Sequence, residues 1–285
     1  MSFPEQLFEA NYTRAYGQHD FVTAGGEVVS VLSEPTWENF YGRLESSAQL
    51  GEFVLSPELI TFTTGLEDIP ARQADIEGRI ADVRELSRRR PDSTIILGTA
   101  TFNNPSGRPA NSLLFIAGGD VVAQANKGFS FYPPEKRVFT LRQATAARTT
   151  NHKLAGLVCS DILGEGDVSR FSIDLLLEGS DEPEPGQKIT AATEIVLLST
   201  CWAVPVVEII DGPSAGRQNR FAAMAASIET APASHEDRFR RRLEGRIGLL
   251  FRSYPALREV IVADRLMADT EVEAPYNGHF TRREA

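Results

Sequence analysis

Four ionisable side chains follow apolar stretches of this sequence, at positions where chemistry could be done. Glu58 comes shortly after the apolar run EFVL, Lys127 ends the segment DVVAQANK, and Cys159 ends KLAGLVC. Glu135 lies eight residues after Lys127. In α/β enzymes the functional side chains gather at the carboxyl ends of buried strands. A thiol is a nucleophile once it loses its proton, and nearby carboxylate and ammonium groups influence how easily that happens.

Taken singly, each of these residues has an ordinary explanation. A free cysteine at a strand end is often a small core residue, a glutamate there caps a helix or meets solvent, and a lysine after a strand is usually exposed. The hypothesis of a site therefore depends on their combination and order along the chain.

The elements that must position these side chains are predicted by the hydrophobic pattern. Short apolar runs bounded by Gly, Pro or Ser predict buried strands, which cover residues 27–32, 52–55, 94–101, 153–160, 194–200 and 258–264. Apolar residues spaced by three and four predict helices over residues 36–50, 72–90 and 235–253. A hairpin is predicted where Gly118 and Gly119 turn the chain between NSLLFIA and DVVAQANK. Apolar strands alternating with amphipathic helices favour an α/β fold, and the hairpin makes its sheets mixed.

The order of the motifs resembles that of the carbon–nitrogen hydrolase (nitrilase/amidase) superfamily. LSPE ends in Glu58, ILGTATF and NSLLFIAGG follow, and DVVAQANK leads to Lys127 with Glu135 at the family's spacing. GLVCSD then supplies Cys159 and Asp161, and EIVLLSTCWAVP matches a further strand that ends near Trp and Pro. The resemblance implies a four-layer αββα sandwich.

The resemblance also implies a role for each residue. Cys159 would be the nucleophile, Glu58 the general base, and Lys127 the cation that stabilises negative charge on the substrate, while Glu135 would orient Lys127 or the substrate. The family's pocket implies substrate contacts from the residues around the nucleophile and the later strand, which are Ser160, Asp161, Cys201 and Trp202. The backbone N–H of Ser160 would be a second donor to the developing charge.

The resemblance is strongest over residues 27–205, within what we expect to be a single domain spanning 1–285. Many family members continue after the nucleophile with a run of Arg-Phe-Pro-Glu type, whereas this chain reads CSDILGEGDVSRF. Residues 1–26 have no counterpart in the motifs. The region 206–285 is atypical, because its last part, LMADTEVEAPYNGHFTRREA, looks too short for two full strands.

Composition narrows the class of protein and of partner. The chain has 285 residues, a net charge of −10 and 42% hydrophobic residues, which suits a globular protein and disfavours binding to nucleic acid. Two cysteines do not make a disulfide framework, and no apolar run approaches a bilayer span, so we expect a cytoplasmic protein without a membrane partner. The basic run RFRRRLEGR is interpreted as a solvated helix face. From the family resemblance we expect a homo-oligomer.

The sequence contains two alternatives to the proposed catalytic residues. Cys201 is a second thiol, which a packed core position would explain. A Cys/His hydrolase would need a histidine beside Cys159, but His152 would lie about 20 Å away along the strand. The histidine spacing offers no metal motif, and we expect neither a metal nor another cofactor.

The sequence therefore predicts a thiol hydrolase that cleaves a non-peptide C–N bond of a small molecule, either a carboxamide or an N-carbamoyl group. The alternatives are nitrile hydrolysis or acyl transfer to an amine by the same residues. A further alternative, from another class, is a degenerate family member that binds a ligand or a partner without turnover.

Overall fold

Two β-sheets form the centre of the protein. The computed structural model describes residues 7–62, 65–103, 107–128, 133–140, 153–159, 161, 189, 191–202, 235–266 and 274–283. Its strands are β1 Phe8–Thr13, β2 Gly17–Val22, β3 Val28–Ser33, β4 Phe53–Leu55, β5 Thr94–Thr101, β6 Ala110–Ala117, β7 Asp120–Asn126, β8 Leu154–Val158, β9 Ile195–Trp202, β10 Glu259–Leu266 and β11 Asn277–Arg282. Its helices are α1 Trp37–Ser46, α2 Gln73–Arg88, α3 Pro133–Val138 and α4 His235–Ser253, and a 3-10 helix, Leu66–Arg72, precedes α2.

Both sheets mix parallel and antiparallel pairs. Sheet A has the strand order β1-β11-β10-β9-β8, in which β8, β9 and β10 run parallel and the remaining pairs are antiparallel. Sheet B has the order β2-β3-β4-β5-β6-β7, in which β3, β4 and β5 run parallel and the remaining pairs are antiparallel. The predicted mixed α/β class is confirmed.

The sheets pack face to face, and helices cover their outer faces. Between the sheets, apolar side chains of sheet B such as Phe115 meet side chains of sheet A such as Leu197 in one buried cluster. A second cluster joins sheet A to α4 through Ile247, and a third joins sheet B to α1 and α2 through Phe40 and Val83. Each buried side chain of this size contributes roughly 1.5–3 kcal/mol relative to an exposed one. The order of layers is α, β, β, α, which confirms the predicted four-layer sandwich.

The predicted helices form where local signals support them. α1 begins after Thr36, whose side chain accepts a hydrogen bond from the Asn39 amide, and it ends at Ser46, earlier than the predicted residue 50. α2 occupies residues 73–88 of the predicted 72–90 and buries Ile76, Val83 and Leu86 against sheet B. In the described part of the chain, no helix is both long and apolar enough to cross a membrane.

Three strands were not predicted from the sequence, and all three lie near the ends of the chain. β1 and β2 fall within residues 1–26, where β1 pairs with β11 in sheet A and β2 pairs with β3 in sheet B. β11 lies in the final segment that looked too short for two strands. β1 and β11 stabilise each other across almost the whole sequence, from Phe8 to Arg282, which a local pattern does not reveal.

Candidate active site

The ends of β7 and β8, and the turn after β4, bring the predicted catalytic residues together. Lys127 directly follows β7 and Cys159 directly follows β8, while Glu58 lies in the turn after β4. Their exposed fractions are 2% for Lys127, 9% for Cys159 and 3% for Glu58. Ionised side chains are rarely buried this deeply unless they are paired, so their pairing is the informative feature of the site.

Lys127 is bound by both of the predicted carboxylates. Its Nζ donates to Glu58 Oε1 at 2.8 Å and to Glu135 Oε1 at 2.6 Å. Glu135 lies in the short helix α3 and is 5% exposed. The ammonium group therefore lies between two carboxylates that would otherwise repel each other in a region of low dielectric.

Asn111 is a member of this cluster that the sequence analysis did not assign. Its Nδ2 donates to the same two oxygens, Glu58 Oε1 at 2.6 Å and Glu135 Oε1 at 2.9 Å. The Oε1 atoms of Glu58 and Glu135 thus each accept hydrogen bonds from both Asn111 and Lys127. The orientation of the amide follows from this arrangement, because a flipped Oδ1 would face two carboxylate oxygens. Asn111 is the first residue of the NSLLFIAGG motif, so the motif contained this residue without indicating its role.

Sheet A holds the second oxygen of Glu58. The backbone N–H of Cys201, in β9, donates to Glu58 Oε2 at 3.0 Å, and the Glu58 amide donates to the Thr200 carbonyl at 3.2 Å. On the other side, a Cβ atom at Gly98 would lie 2.2 Å from the Pro57 carbonyl oxygen. The glycine of ILGTATF is therefore required for the Pro57–Glu58 backbone to approach β5.

Cys159 adopts a backbone conformation that is uncommon for a residue with a side chain. Its φ is 45°, in the left-handed region, which costs on the order of 1–3 kcal/mol when the surroundings impose it. Asp161 helps to impose it, because its Oδ2 accepts from the Val158 amide at 3.1 Å and its Oδ1 accepts from the Gly128 amide at 2.9 Å. The carboxylate ties the end of β8 to the residue after Lys127. These contacts favour a positioning role for Asp161 over the predicted substrate contact.

The other predicted substrate-binding residues are described to different extents. Ser160 lies outside the described residues, and of Trp202 only the backbone, at the end of β9, is described. Cys201 is 8% exposed, and burial raises the pKa of its thiol to about 12. Burial raises the pKa of the Cys159 thiol as well, so this shift does not exclude Cys201 as a rival nucleophile. Its contribution to the cluster comes from its backbone.

The charges of the site oppose the formation of a free thiolate. Burial, and then the charge of Glu58, raise the pKa of the Cys159 thiol well above its usual range. Burial also raises the pKa of Glu58, although Lys127 acts in the opposite direction. Burial alone would lower the pKa of Lys127, but its electrostatic interactions with Cys159, Glu135 and Glu58 outweigh burial and raise that pKa well above normal. The arrangement favours a neutral thiol beside a permanently charged ammonium group, so the thiol must transfer its proton to a base as it reacts.

The described residues give little support to a histidine base or a metal site. His19 contacts the Ala15 carbonyl, and His279 contacts the Glu259 carboxylate. His152, the alternative base, lies outside the described residues. In the ranges that the structure describes, His, Cys, Asp and Glu side chains do not form a group of three or more that could hold a metal ion.

Comparisons with known proteins identify the fold. No protein-family model and no curated protein matches the sequence. The amidase NitN from Nesterenkonia sp. AN1 is similar in structure, with a TM-score of 0.50 and 12% identity over 96% of this chain and 92% of that one. A second structure of an amidase from Nesterenkonia sp. has a TM-score of 0.49 and 12% identity, over 98% of this chain and 90% of that one.

A more distant likeness is to the glutamine-dependent NAD+ synthetase from Acinetobacter baumannii, with a TM-score of 0.45 and 17% identity. It covers 61% of this chain, which spans about a third of that protein's length (32%). At 12% identity, the likeness to the NitN amidase shows the fold and leaves the chemistry to be argued from the residues of this chain. The two packed sheets and the helices on their outer faces form the αββα sandwich that the ordered motifs predicted, and the NitN amidase shares this fold.

Proposed function

We propose that this protein is a thiol hydrolase that cleaves a carboxamide or N-carbamoyl C–N bond through an acyl group carried on Cys159. The observation that carries the proposal is the buried ammonium group of Lys127, which is hydrogen-bonded to both Glu58 and Glu135 and near enough to Cys159 to lower the pKa of its thiol against the effect of burial. The NitN amidase has the same fold, which supports the proposed cleavage of an amide bond.

In the first step the Cys159 sulfur attacks the substrate carbonyl carbon while Glu58 takes the thiol proton. The raised pKa values of both groups suit this transfer, because the proton passes between partners that each resist carrying negative charge in a buried site. The carbonyl oxygen gains negative charge as the C–S bond forms. Lys127 stabilises that charge, and one such donor can be worth about 3 kcal/mol in the transition state.

In the second step the C–N bond breaks and Glu58 returns the proton to the departing nitrogen, which leaves as ammonia or an amine. A thioester between the acyl group and Cys159 remains. Glu58, again ionised, takes a proton from water as the water attacks the thioester, and the thiol leaves with that proton. The products are the carboxylic or carbamic acid and the free enzyme, so atoms and protons balance.

During these reaction steps, Glu135 and Asn111 hold Lys127 and Glu58 in place. Both hydrogen bonds that the structure gives Asn111 Nδ2 go to the carboxylates, so it orients the base and its partner without joining the proton transfer. Glu135 holds Lys127 when the proton on Glu58 removes one of its two negative partners.

The decisive test measures ammonia release from a panel of primary amides, N-carbamoyl amino acids, ureas and nitriles. The unaltered protein is compared with Cys159→Ala and with Cys201→Ala. We expect Cys159→Ala to lose release completely. Cys201→Ala retains the backbone N–H that binds Glu58, so we expect it to keep turnover with at most a change in KM.

The intermediate is tested separately by intact-protein mass and by trapping with hydroxylamine. The expected result is an added mass equal to the acyl group on Cys159 and a hydroxamate that appears at the expense of the acid. Release that survives in Cys159→Ala and disappears in Cys201→Ala would overturn the proposal. Product that forms only when an amine is added would show an acyltransferase.

A further inference from the structure

A buried arginine of sheet A is bound to the turn that carries Glu58. Arg265 lies in β10, is 5% exposed, and donates from Nε to the Glu58 carbonyl at 2.9 Å. Its Nη2 donates to the carbonyls of Leu59 at 3.0 Å and Phe62 at 2.9 Å. Within the described part of the chain, the hydrogen bonds of this guanidinium thus end on main-chain oxygens of a single turn.

The arginine and the turn belong to different sheets. Glu58 follows β4 of sheet B, whereas Arg265 pairs in register with Cys201 in sheet A. The Cys201 amide binds the Glu58 carboxylate, and Arg265 binds the Glu58 main chain. Cys201 and Arg265, which pair in sheet A, therefore bind the carboxylate and the main chain of Glu58 respectively.

The turn needs such support because its backbone is unusual. Leu59 has a φ of 51°, in the left-handed region, which a residue with a side chain adopts only when its surroundings require it. Arg265 binds the carbonyls of Glu58 and Leu59, and Arg79 of α2 binds the Thr61 carbonyl from the outer layer at 2.7 Å. Among the described contacts, the carbonyls of Glu58 and Thr61 would lose their donors without these arginines, whereas the Leu59 carbonyl would keep the Phe62 amide at 2.9 Å.

We infer that Arg265 is a positioning residue for the general base, because it locks the turn at residues 58–62 so that the Glu58 carboxylate stays in reach of Cys159. The inference rests on the proposed function for its meaning in catalysis. Among the described residues, the hydrogen bonds of Arg265 go to main-chain oxygens of this turn, so it acts through Glu58. A lysine cannot replace it, because one ammonium group lacks the planar fork that meets three separated oxygens.

The chain contains a matched control in Arg282 of β11. Its Nε donates to the Leu257 carbonyl at 2.6 Å, and its Nη2 donates to the carbonyls of Tyr254, at 2.8 Å, and of Phe251. This guanidinium also binds three main-chain oxygens, but they belong to the end of α4 and the turn after it. Arg265→Lys and Arg282→Lys therefore remove the same kind of contact, one beside Glu58 and one away from it.

The experiment measures kcat, KM and the melting temperature of both variants on the best amide found. We expect both to melt a few degrees lower. Arg265→Lys should lower kcat by about 10- to 100-fold with KM within about threefold, since a small misplacement of a catalytic group has effects of this size. Arg282→Lys should leave kcat within about twofold. Equal kcat losses in the two variants, or none in either, would overturn the inference.

A second readout does not depend on turnover. The rate of alkylation of Cys159 by iodoacetamide is followed against pH by mass spectrometry, in the unaltered protein, Glu58→Gln and both lysine variants. We expect Glu58→Gln to change the pH profile, Arg265→Lys to change it in the same direction, and Arg282→Lys to leave it as it was. If this pattern holds while no amide is hydrolysed, the positioning role stands and the proposed function fails. A profile that is the same in Glu58→Gln and the unaltered protein would overturn the positioning role.

Discussion

Two buried carboxylates lie close together in this protein, and their partners differ. Glu58 binds the ammonium group of Lys127, the amide of Asn111 and one backbone N–H. Asp264, in β10, binds the Thr200 hydroxyl at 2.8 Å and the Tyr276 amide at 2.8 Å, both of them neutral donors. Thr200 connects the two, because its carbonyl also accepts from the Glu58 amide.

The difference shows what a buried cation adds. Burial raises the pKa of Asp264 to about 7, even though its hydrogen bonds act against the shift. Burial raises the pKa of Glu58 as well, but there the charge of Lys127 is the largest opposing influence. Neutral donors are enough to build a structural carboxylate that joins strands. For Glu58, the proposed base, the charge of Lys127 opposes the rise in pKa that burial causes.

Removing that charge should have the largest effect. Lys127→Met leaves the carboxylates of Glu58 and Glu135 buried without their cation, so we expect a loss of stability of about 3–5 kcal/mol. Turnover should fall by about 100- to 1,000-fold, because the developing oxyanion loses its stabilising charge. Urea unfolding and steady-state kinetics measure the two effects.

The pH dependence of this variant tests the cause. Without Lys127 the pKa of Glu58 should rise further, so the folded state takes up protons as the pH falls and the variant recovers part of its stability at low pH. Lys153→Met is the control, because Lys153 meets Glu194 at 3.3 Å on the surface and its removal should cost at most about 1 kcal/mol. A loss of stability in Lys127→Met that is equal at every pH would contradict the electrostatic explanation.

A smaller effect is expected from a neutral side chain that both regions contain, an asparagine. Asn111→Ala removes hydrogen bonds from Glu58 and Glu135 but leaves Lys127, so we expect a 10- to 100-fold loss of kcat, in line with about 1.5–3 kcal/mol for a hydrogen bond to a charged group. Asn277→Ala is its counterpart beside Asp264, where Asn277 accepts from the Asp264 amide at 2.9 Å. That variant should lose stability while its kcat stays within about threefold. If the two variants lost kcat equally, the catalytic distinction between the regions would be wrong.

The smallest effect on turnover should be seen in Asp264→Asn, whose main consequence is a change in how stability depends on pH. Between its usual value of 3.8 and about 7, folded Asp264 keeps a proton that the unfolded chain releases. The unfolding free energy of the unaltered protein should therefore fall as the pH rises through this window, with a slope of at most about 1.4 kcal/mol per pH unit from this group. Asparagine does not titrate, so the variant should lack this contribution.

Urea unfolding at several pH values between about 4 and 8 measures the difference between the two proteins. This difference in unfolding free energy should change between a pH of about 4 and about 7 and become constant above that. A difference that is constant from acid to neutral pH would show that Asp264 is already ionised throughout.

The candidate site was predictable where each residue stands beside a strong local pattern. Lys127 and Cys159 end apolar strands, and their motifs could be recognised without knowing which strands are neighbours. Asn111 stands in one of those motifs, but its role depends on the pairing of β6 with β7, which places its carbonyl beside the Lys127 amide at 2.7 Å. Asp161 was recognised as part of the site, while the direction of its carboxylate, towards backbone amides, was not.

Local patterns in the sequence predicted the strands β3 to β10, the helices α1, α2 and α4, the mixed α/β class and the residues that follow the central strands, because hydrophobic periodicity and turn residues act over a few positions. Only the tertiary structure decided that Phe8 pairs with Arg282, that Asn111 bridges two carboxylates, and that Arg265 crosses from sheet A to the turn of Glu58. The physical reason is the same in each case. These contacts join residues from about 24 to 274 positions apart, and their geometry exists only after the chain has folded into its two sheets.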